Sequence, residues 1–355
     1  MTQTAAGTRP TTTHPRRLRI GIAGIGQGGG GMLPMMATMP QFQLVAGADI
    51  NPVTRERFQD RYPETKVYDS VNSLCADPTV EAVWVSSPNR FHCEHAIEAL
   101  GAGKHVVVEK PMAISLEEAD RMVEAAAKSG TILIAGHTNS FELPIRAMRK
   151  VINSGLIGRL CAVHVWSYTD WMLRARTPDE LDPQQGGGIP WRQGPHQIDV
   201  VRVLGGGLLR SVRAMTGAWM RERPIAGYYN AFLEFEDGTP ATVLHNGYGY
   251  FRTGELFPWA RDGLRSSREL SAIRKSMRAG TRDEQADKQE FRIGGSRDPN
   301  RRNNEAPAGP QPWTPSDLGM VLATCERGDI RNSPFGLYVY TDDGPHGDDL
   351  YVTTR

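Results

Sequence analysis

Leu18-Arg19-Ile20-Gly21-Ile22-Ala23-Gly24-Ile25-Gly26-Gln27-Gly28-Gly29 decides how the N-terminal part of this 355-residue chain folds. The apolar run LRIGIAG (18–24) is nearly continuous, as in a strand buried on both faces of a parallel sheet. It leads straight into Gly24-Ile25-Gly26-Gln27-Gly28-Gly29, a GxGxxG. Glycines at that spacing allow a tight turn and a close backbone approach to a pyrophosphate, whose charge sits at the N-terminus of the next helix. Alone the pattern is weak, because glycine-rich turns are common and six glycines fall between positions 24 and 31. Context strengthens it. A second run, FQLVAGAD (42–49), ends in Asp49, 25 residues beyond Gly24, where a carboxylate accepts from the ribose hydroxyls of a dinucleotide. That carboxylate repels a 2′-phosphate, so NAD is favoured over NADP, although Arg55 stands near.

Working outward, EAVWVSS (81–87), KHVVVEK (104–110) and TILIAGH (131–137) repeat the buried-strand pattern. Between them HCEHAIEALGAG (92–103) and SLEEADRMVEAAAKSG (115–130) read as helices. The second opens on Ser115 followed by Glu118, a capping-box spacing, and closes at Gly130. Strand–helix alternation predicts a doubly wound α/β Rossmann domain over residues 18–140.

Beyond about residue 140 the pattern changes. A helix over 142–154 ends at Gly155, and strand-like runs follow at 159–169, 211–220, 228–237 and 241–250. Asp237-Gly238 is a hairpin signal. Residues 141–355 are therefore expected to form an α+β domain with an antiparallel sheet, for substrate binding and oligomerisation. Within it, residues 258–312 look like a mobile surface excursion. Arg261 to Arg302 carries 12 basic and 7 acidic side chains with few apolar ones. Strand character returns at 335–343 and 348–354. Residues 1–17, rich in threonine and proline, read as a flexible tail with no secretory signal.

Composition narrows the classes of function. Hydrophobic residues at 39% and charged residues at 23% are those of a globular protein. A net charge of +1 gives no case for nucleic acid or a membrane surface. No apolar stretch is long enough to span a bilayer. The cysteines (Cys75, Cys93, Cys161, Cys325) are far apart and show no CxxC, so neither a zinc ribbon nor a disulfide framework is expected. A cytoplasmic location and no metal follow as expectations.

Three further motifs stand in a telling order: Ser87-Pro88-Asn89-Arg90-Phe91-His92, then Ala99-Leu100-Gly101-Ala102-Gly103-Lys104-His105-Val106, then Glu109-Lys110-Pro111. Over roughly residues 18–250 the chain resembles the glucose-fructose oxidoreductase/inositol dehydrogenase/MocA family. The resemblance implies a Rossmann domain followed by a domain with an open, mostly antiparallel sheet, and a homodimer or homotetramer paired through that sheet. It also implies NAD contacts from Gly24 to Gly29, Asp49, Ser87, Pro88, Asn89, His92, Glu109, Lys110 and Asn139. In the family the lysine of the EKP motif lies beside the nicotinamide and the substrate hydroxyl; Lys110 is the match. Oxidation of an alcohol needs a group that takes the hydroxyl proton as hydride leaves the same carbon. A partly desolvated lysine near a cation has its pKa lowered toward that task. Pro111 ends the strand and restricts Lys110; in the family this peptide is often cis.

A second family signature places an Asp, then a His four residues on, then another Asp, after a glycine pair or triplet. Here Gly186-Gly187-Gly188 precede Arg192, His196 and Asp199. By resemblance His196 is the catalytic or hydroxyl-binding histidine and Asp199 the acid after it, but Arg192 replaces the first Asp. A guanidinium accepts no proton, yet it grips a carboxylate through two parallel bonds. The expected substrate is therefore a small anion, with Tyr168, Arg174 and Arg176 as further candidates for holding it. The pattern YTDW…RxR…PDEL with GGG…RQGPHQ resembles the phthalate 4,5-cis-dihydrodiol dehydrogenase subgroup, whose members oxidise a dihydroxycyclohexadiene dicarboxylate with NAD. A dehydrogenase of an acidic sugar, cyclitol or glycoside is one alternative. A non-catalytic NAD-binding sensor or regulator is another, against which the presence of both Lys110 and His196 speaks. Relatives commonly continue for several tens of residues past the last strand, so C-terminal packing is left in doubt.

Overall fold

Six strands form a wholly parallel sheet: β1 (Leu18–Ala23), β2 (Phe42–Ala48), β3 (Lys66–Tyr68), β4 (Ala82–Val85), β5 (His105–Glu109) and β6 (Leu133–Gly136), in the order β3-β2-β1-β4-β5-β6. The computed structural model describes residues 16–295, 312–315 and 317–346. Ile22, Val83, Val85 and Val108 are fully buried, as strands covered on both faces require. The strand order reverses between β1 and β4, which opens a crevice at their C-terminal ends.

The covering helices are α1 (Gln27–Thr38), α2 (Pro52–Arg61), α3 (Val71–Ala76), α4 (His92–Gly101) and α5 (Leu116–Ser129). At α5 the expected capping works as read: Ser115 Oγ accepts from Glu118 N at 3.1 Å, and Gly130 ends the helix with φ 67°. The sequence does not mark β3, with only three residues, α3, with only six, or α2. The helix expected after the glycine loop, α1, forms although it contains four glycines and Pro34, poor helix formers. Leu33 and Met36 of α1 are buried against the sheet, so packing overrides propensity there.

The second sheet is built from β7 (Leu160–Tyr168), β8 (Leu209–Gly217), β9 (Tyr228–Phe235), β10 (Pro240–Asn246), β11 (Met320–Cys325), β12 (Gly328–Asn332), β13 (Leu337–Thr341) and β14 (Gly344–His346). Their order is β14-β13-β12-β11-β7-β10-β9-β8. Every pairing is antiparallel except that of β10 with β7. The Asp237-Gly238 turn joins β9 to β10, with Gly238 at φ 85°. One face of this sheet packs Val163, Val165, Val243 and Val321 against Val200, Val201 and Leu204 of α8 (Gly194–Gly205). On that side also lie α6 (Leu143–Ser154) and the short α7 (Ile189–Arg192). The opposite face leaves Trp166, Phe232 and Met215 exposed.

The segment from residue 258, expected as a mobile surface excursion, carries secondary structure in its described part. It contains α9 (Ser267–Arg278) and α10 (Glu284–Glu290), and both are fastened down. Ser266 and Glu269 form a capping box, and Leu270 and Met277 bury against Leu173. Arg282 Nη1 donates to the Leu173 carbonyl at 2.6 Å, Gln285 Nε2 donates to the Arg176 carbonyl at 3.2 Å, and Glu284 pairs with Arg223. Charges that read as a solvated surface are spent tying these helices to the strap 171–177. The expectations for residues 1–15, 296–311 and 348–354 fall outside the described residues. Among the described residues, no helix is long and apolar enough to cross a membrane.

Candidate active site

The glycine loop divides its work by position. Gly24 sits at φ 91°, and a Cβ there would lie 2.7 Å from Ser87 N; one on Gly29 would lie 2.3 Å from Gly24 O. Both are needed for the protein's own packing, the first also for its left-handed backbone. Gly26 and Gly28 differ: a Cβ on either would meet nothing within 4 Å. α1 begins beside them with no side-chain cap, leaving its first N–H groups free for an anion. At the tip of β2, Asp49 Oδ2 accepts from Ile25 N at 3.0 Å and Oδ1 from Asn51 N at 2.8 Å, which fixes the carboxylate beside the loop. Arg55 Nη1 donates to the carbonyls of Asp49 and Ile50 at 2.8 and 3.0 Å. The cradle fits a dinucleotide: open where phosphates approach, closed where strand meets helix, and acidic at the ribose end.

The cradle opens into a cavity of about 350 Å³ between the two sheets. Its Rossmann wall includes Ser87, Pro88, Asn89, His92, Glu109 and Lys110. His92 is buried with each ring nitrogen 2.8 Å from a carbonyl oxygen, Nδ1 facing Pro111 and Nε2 facing Ser87. It thereby ties the SPN turn to the EKP turn. Burial lowers its pKa, the neighbouring Arg192 adding to the effect.

Lys110 closes β5 ahead of a cis Lys110-Pro111 peptide, and its Nζ donates to the main-chain carbonyl of Arg192 at 3.0 Å. Burial, then the Arg192 charge, pushes the ammonium down to about 8; Glu109 and Asp317 only partly oppose this. A lysine so tuned is neutral in a useful fraction near neutral pH and can accept a proton. His196, in the first turn of α8 behind Pro195, is also buried. Burial first, then the charges of Lys110 and His137, lowers its pKa to about 3, so its ring is neutral. Among the described residues its Nδ1 has no hydrogen-bond partner, and neither does Nδ1 of His137, just after β6. His137 was not singled out from sequence, since a histidine closing an apolar run carries no signal by itself.

The opposite wall is cationic. Arg192 Nη2 pairs with Glu180 Oε1 at 2.9 Å, and its Nη1 donates to Asn89 Oδ1 at 3.3 Å, bridging the domains. Arg176 stacks over the Trp171 ring at 3.8 Å and pairs with the same Glu180 oxygen at 3.1 Å. Arg174 is committed elsewhere. Its two Nη atoms grip Asp317 at 2.7 and 2.6 Å, and its Nε meets Asp170 at 2.8 Å. Burial opposes the ionisation of both Asp317 and Glu180. Arg174 nevertheless holds the first well below the usual carboxylate range, and Arg176, Arg192 and Lys288 hold the second there. Arg174 thus lines the cavity with its fork already filled.

Several expected site residues lie apart from this cavity. Tyr168 is on the far side of its sheet, packed against Phe251 with ring centroids 5.3 Å apart. Strand alternation explains the correction: Ser167 points inward and is fully buried, which turns Trp166 and Tyr168 to the open face. Asp199 pairs with Arg202 at 2.9 Å, one helical turn beyond His196. Asn139 lies in a short 3-10 turn after β6 and is not part of the cavity wall, nor is His196, which lies behind it, close enough for the charge of Lys110 to act on its ring. Glu180, Gln193 and Lys288 do line it. Glu180 and Gln193 fall inside the PDEL and RQGPHQ stretches without standing out there, and Lys288 lies in no motif.

This architecture is that of a two-domain nicotinamide-nucleotide oxidoreductase. The oxidoreductase family model with an NAD-binding Rossmann fold matches residues 18–137, and the GFO/IDH/MocA C-terminal domain matches residues 145–253. The chain belongs to the Gfo/Idh/MocA family. It is 39% identical over 245 residues to the 1-carboxy-3-chloro-3,4-dihydroxycyclo hexa-1,5-diene dehydrogenase of Comamonas testosteroni, covering 69% of this chain and 62% of that protein. It is 30% identical to the D-glucoside 3-dehydrogenase of Escherichia coli, over 65% of this chain and 68% of the other. A Bordetella bronchiseptica RB50 protein assigned as a dehydrogenase superposes with a TM-score of 0.83 at 35% identity, covering 93% of this chain and 84% of its own. The match thus spans less than two thirds of the Comamonas relative's length.

Among the described residues, no group of His, Cys, Asp and Glu side chains is placed to hold a metal ion.

Proposed function

We propose that this chain is an NAD-dependent dehydrogenase that oxidises a ring hydroxyl of a small cyclic, carboxylated substrate, such as a cis-dihydrodiol of phthalate type. One observation carries the reading: a desolvated lysine, Lys110, and the charged Arg192 line one cavity, the lysine's Nζ also bonding the Arg192 main-chain carbonyl. That pair offers a proton acceptor and an anion receptor in one cavity. The name of the Comamonas relative, a ring diol bearing a carboxylate, supports the same substrate chemistry.

When bound, the oxidised nicotinamide supplies the hydride acceptor. The chain's own residues do the rest. Arg192 holds a carboxylate through paired N–H donors and so fixes the ring's orientation. Neutral Lys110 accepts the hydroxyl proton as the C–H bond is lost and later releases it to solvent. His196, uncharged and with a free ring nitrogen, assists by orienting that hydroxyl. Trp171, fully buried beneath Arg176, backs the cationic wall and excludes water. With a cyclohexadiene diol, loss of the two hydrogens leaves a catechol, and aromatisation draws the reaction forward.

The exposed apolar face of the second sheet fits pairing with another copy of the chain, giving a homodimer or homotetramer. A screen of carboxylated dihydrodiols, sugar acids and uncharged polyols, followed at the NADH absorbance band, tests the function. NAD reduction by the carboxylated dihydrodiols is the expected result. Turnover confined to uncharged sugars overturns the anionic reading, and NAD binding with no turnover of any of them favours the regulator.

A further inference from the structure

Lys288 reaches the cavity from a part of the chain that no motif touches. α10 is held against the strap 171–177 by Glu284, which accepts from Arg176 N at 2.9 Å, and by Gln285, which donates to the Arg176 carbonyl. This anchoring turns Lys288 inward. It is buried, lines the same cavity as Lys110 and Arg192, and pairs with Glu180 Oε2.

The bonding around Glu180 is oversubscribed. Its Oε1 receives Arg176 Nη1 and Arg192 Nη2; its Oε2 receives Lys288 Nζ, Thr177 N at 2.8 Å and Thr177 Oγ1 at 3.1 Å. Five donors converge on a carboxylate with about four lone-pair sites. Three of them are cations, so one negative charge faces three positive ones in a site withdrawn from water. Neutralising a buried glutamate takes one cation, and each further one adds like-charge repulsion and desolvation cost. Among the described residues, Lys288 makes a single hydrogen bond of the three its ammonium can donate. The cluster is built with spare positive charge and spare donors, facing the space beside Lys110.

We propose that Lys288, brought into the cleft by α10, is a specificity-determining residue that binds a substrate carboxylate together with Arg192, with Glu180 keeping the cations aligned until the substrate arrives. The inference rests on the anionic-substrate reading above and deepens it: the excess of two charges over Glu180 suits a substrate carrying two carboxylates. The Arg-rich segment 261–295 is then part of the substrate site, through one lysine.

Titration calorimetry with phthalate on the NAD-loaded protein, comparing wild type with Lys288→Met and Lys288→Arg, tests this without needing turnover. Loss of one charge-assisted contact weakens phthalate binding about 10- to 100-fold in Lys288→Met. Lys288→Arg recovers part of it, and the NAD Kd stays within about 3-fold. Kinetic selectivity for carboxylated over uncharged cyclic diols falls by a similar factor. Equal phthalate affinity in wild type and Lys288→Met overturns the assignment, as does a parallel loss of NAD affinity, which would place Lys288 at the cofactor phosphates. The two readings fail separately. Lys288-dependent phthalate binding without dihydrodiol oxidation sinks the proposed activity alone. Dihydrodiol oxidation indifferent to Lys288→Met sinks the present inference alone.

Discussion

Lys110 and Arg192 meet across the domain boundary, the lysine's Nζ donating to the arginine's main-chain carbonyl at 3.0 Å. One residue closes β5 of the Rossmann sheet and the other closes α7 of the second domain. The contact therefore ties the proton acceptor to the cationic wall, while burial and the charge of Arg192, not this hydrogen bond, lower the lysine's pKa.

Lys110→Ala is expected to lower turnover by about 10²–10⁴ while NAD affinity changes only a few-fold, the scale of a lost acid–base group. In the wild type the base is the unprotonated amine. With burial holding the pKa near 8, kcat should rise with pH through about 8 and level off above it. His196, lowered to about 3, adds no limb between pH 5 and 9. Stopped-flow or steady-state pH profiles read this directly, and a flat profile from pH 6 to 10 would remove Lys110 as the titrating base.

The glycine loop yields a paired prediction. Gly29→Ala forces a Cβ to within 2.3 Å of Gly24 O and 2.4 Å of Ser86 Oγ, overpacking that costs about 1–3 kcal/mol. It should lower the thermal midpoint with or without NAD. Gly26→Ala meets nothing in the protein, so the midpoint of the free protein should hold while NAD binding weakens at least 10-fold. If Gly26→Ala binds NAD normally, the phosphates do not approach there.

How far the sequence could be read follows from what carries each feature. The Rossmann half was legible because β-branched runs, a glycine loop and Lys110 lie in contiguous motifs. The cationic wall was only partly legible. Arg174, Arg176 and Arg192 stood out by residue type, yet which carboxylate each guanidinium pairs with depends on Asp317 and Glu180, whose proximity is a product of folding. Tyr168 was misplaced because an aromatic near arginines looks like a binding wall, whereas strand alternation turns it to the opposite face. Lys288 was lost in a stretch whose charge density resembles solvated surface; its burial comes from α10 docking on the strap 171–177.

Asp49 is held by Ile25 N and Asn51 N at 3.0 and 2.8 Å, so its charge points at a fixed place. Asp49→Asn keeps an acceptor oxygen and removes the charge. The preference for NAD over NADP should narrow by about 10-fold or more, because repulsion of a 2′-phosphate is relieved and a ribose contact weakened. Cofactor-dependent kcat/KM ratios measure it. A wild type that already prefers NADP would contradict the placement of Asp49 at the ribose.

Arg192→Ala bears most directly on the anionic substrate. Glu180 retains Arg176 and Lys288 as partners in that variant, so its charge is not stranded and the fold should survive with a modest drop in midpoint. A charge-assisted bidentate contact in a closed cleft is worth about 1.5–3 kcal/mol, and its removal lowers kcat/KM about 10- to 150-fold. Arg192→Lys should recover only part of this, since an ammonium lacks the planar fork that matches a carboxylate. The loss should be large with carboxylated ring diols and shrink with uncharged ones, while the KM for NAD stays within about 3-fold. Because Lys110 bonds the main-chain carbonyl of Arg192, its contact survives either substitution, and in Arg192→Ala the apparent base pKa should move upward as the neighbouring cation is removed. Equal losses on charged and uncharged substrates, with an unmoved pH profile, would make Arg192 a tether between Asn89 and Glu180 and leave the carboxylate site without its anchor.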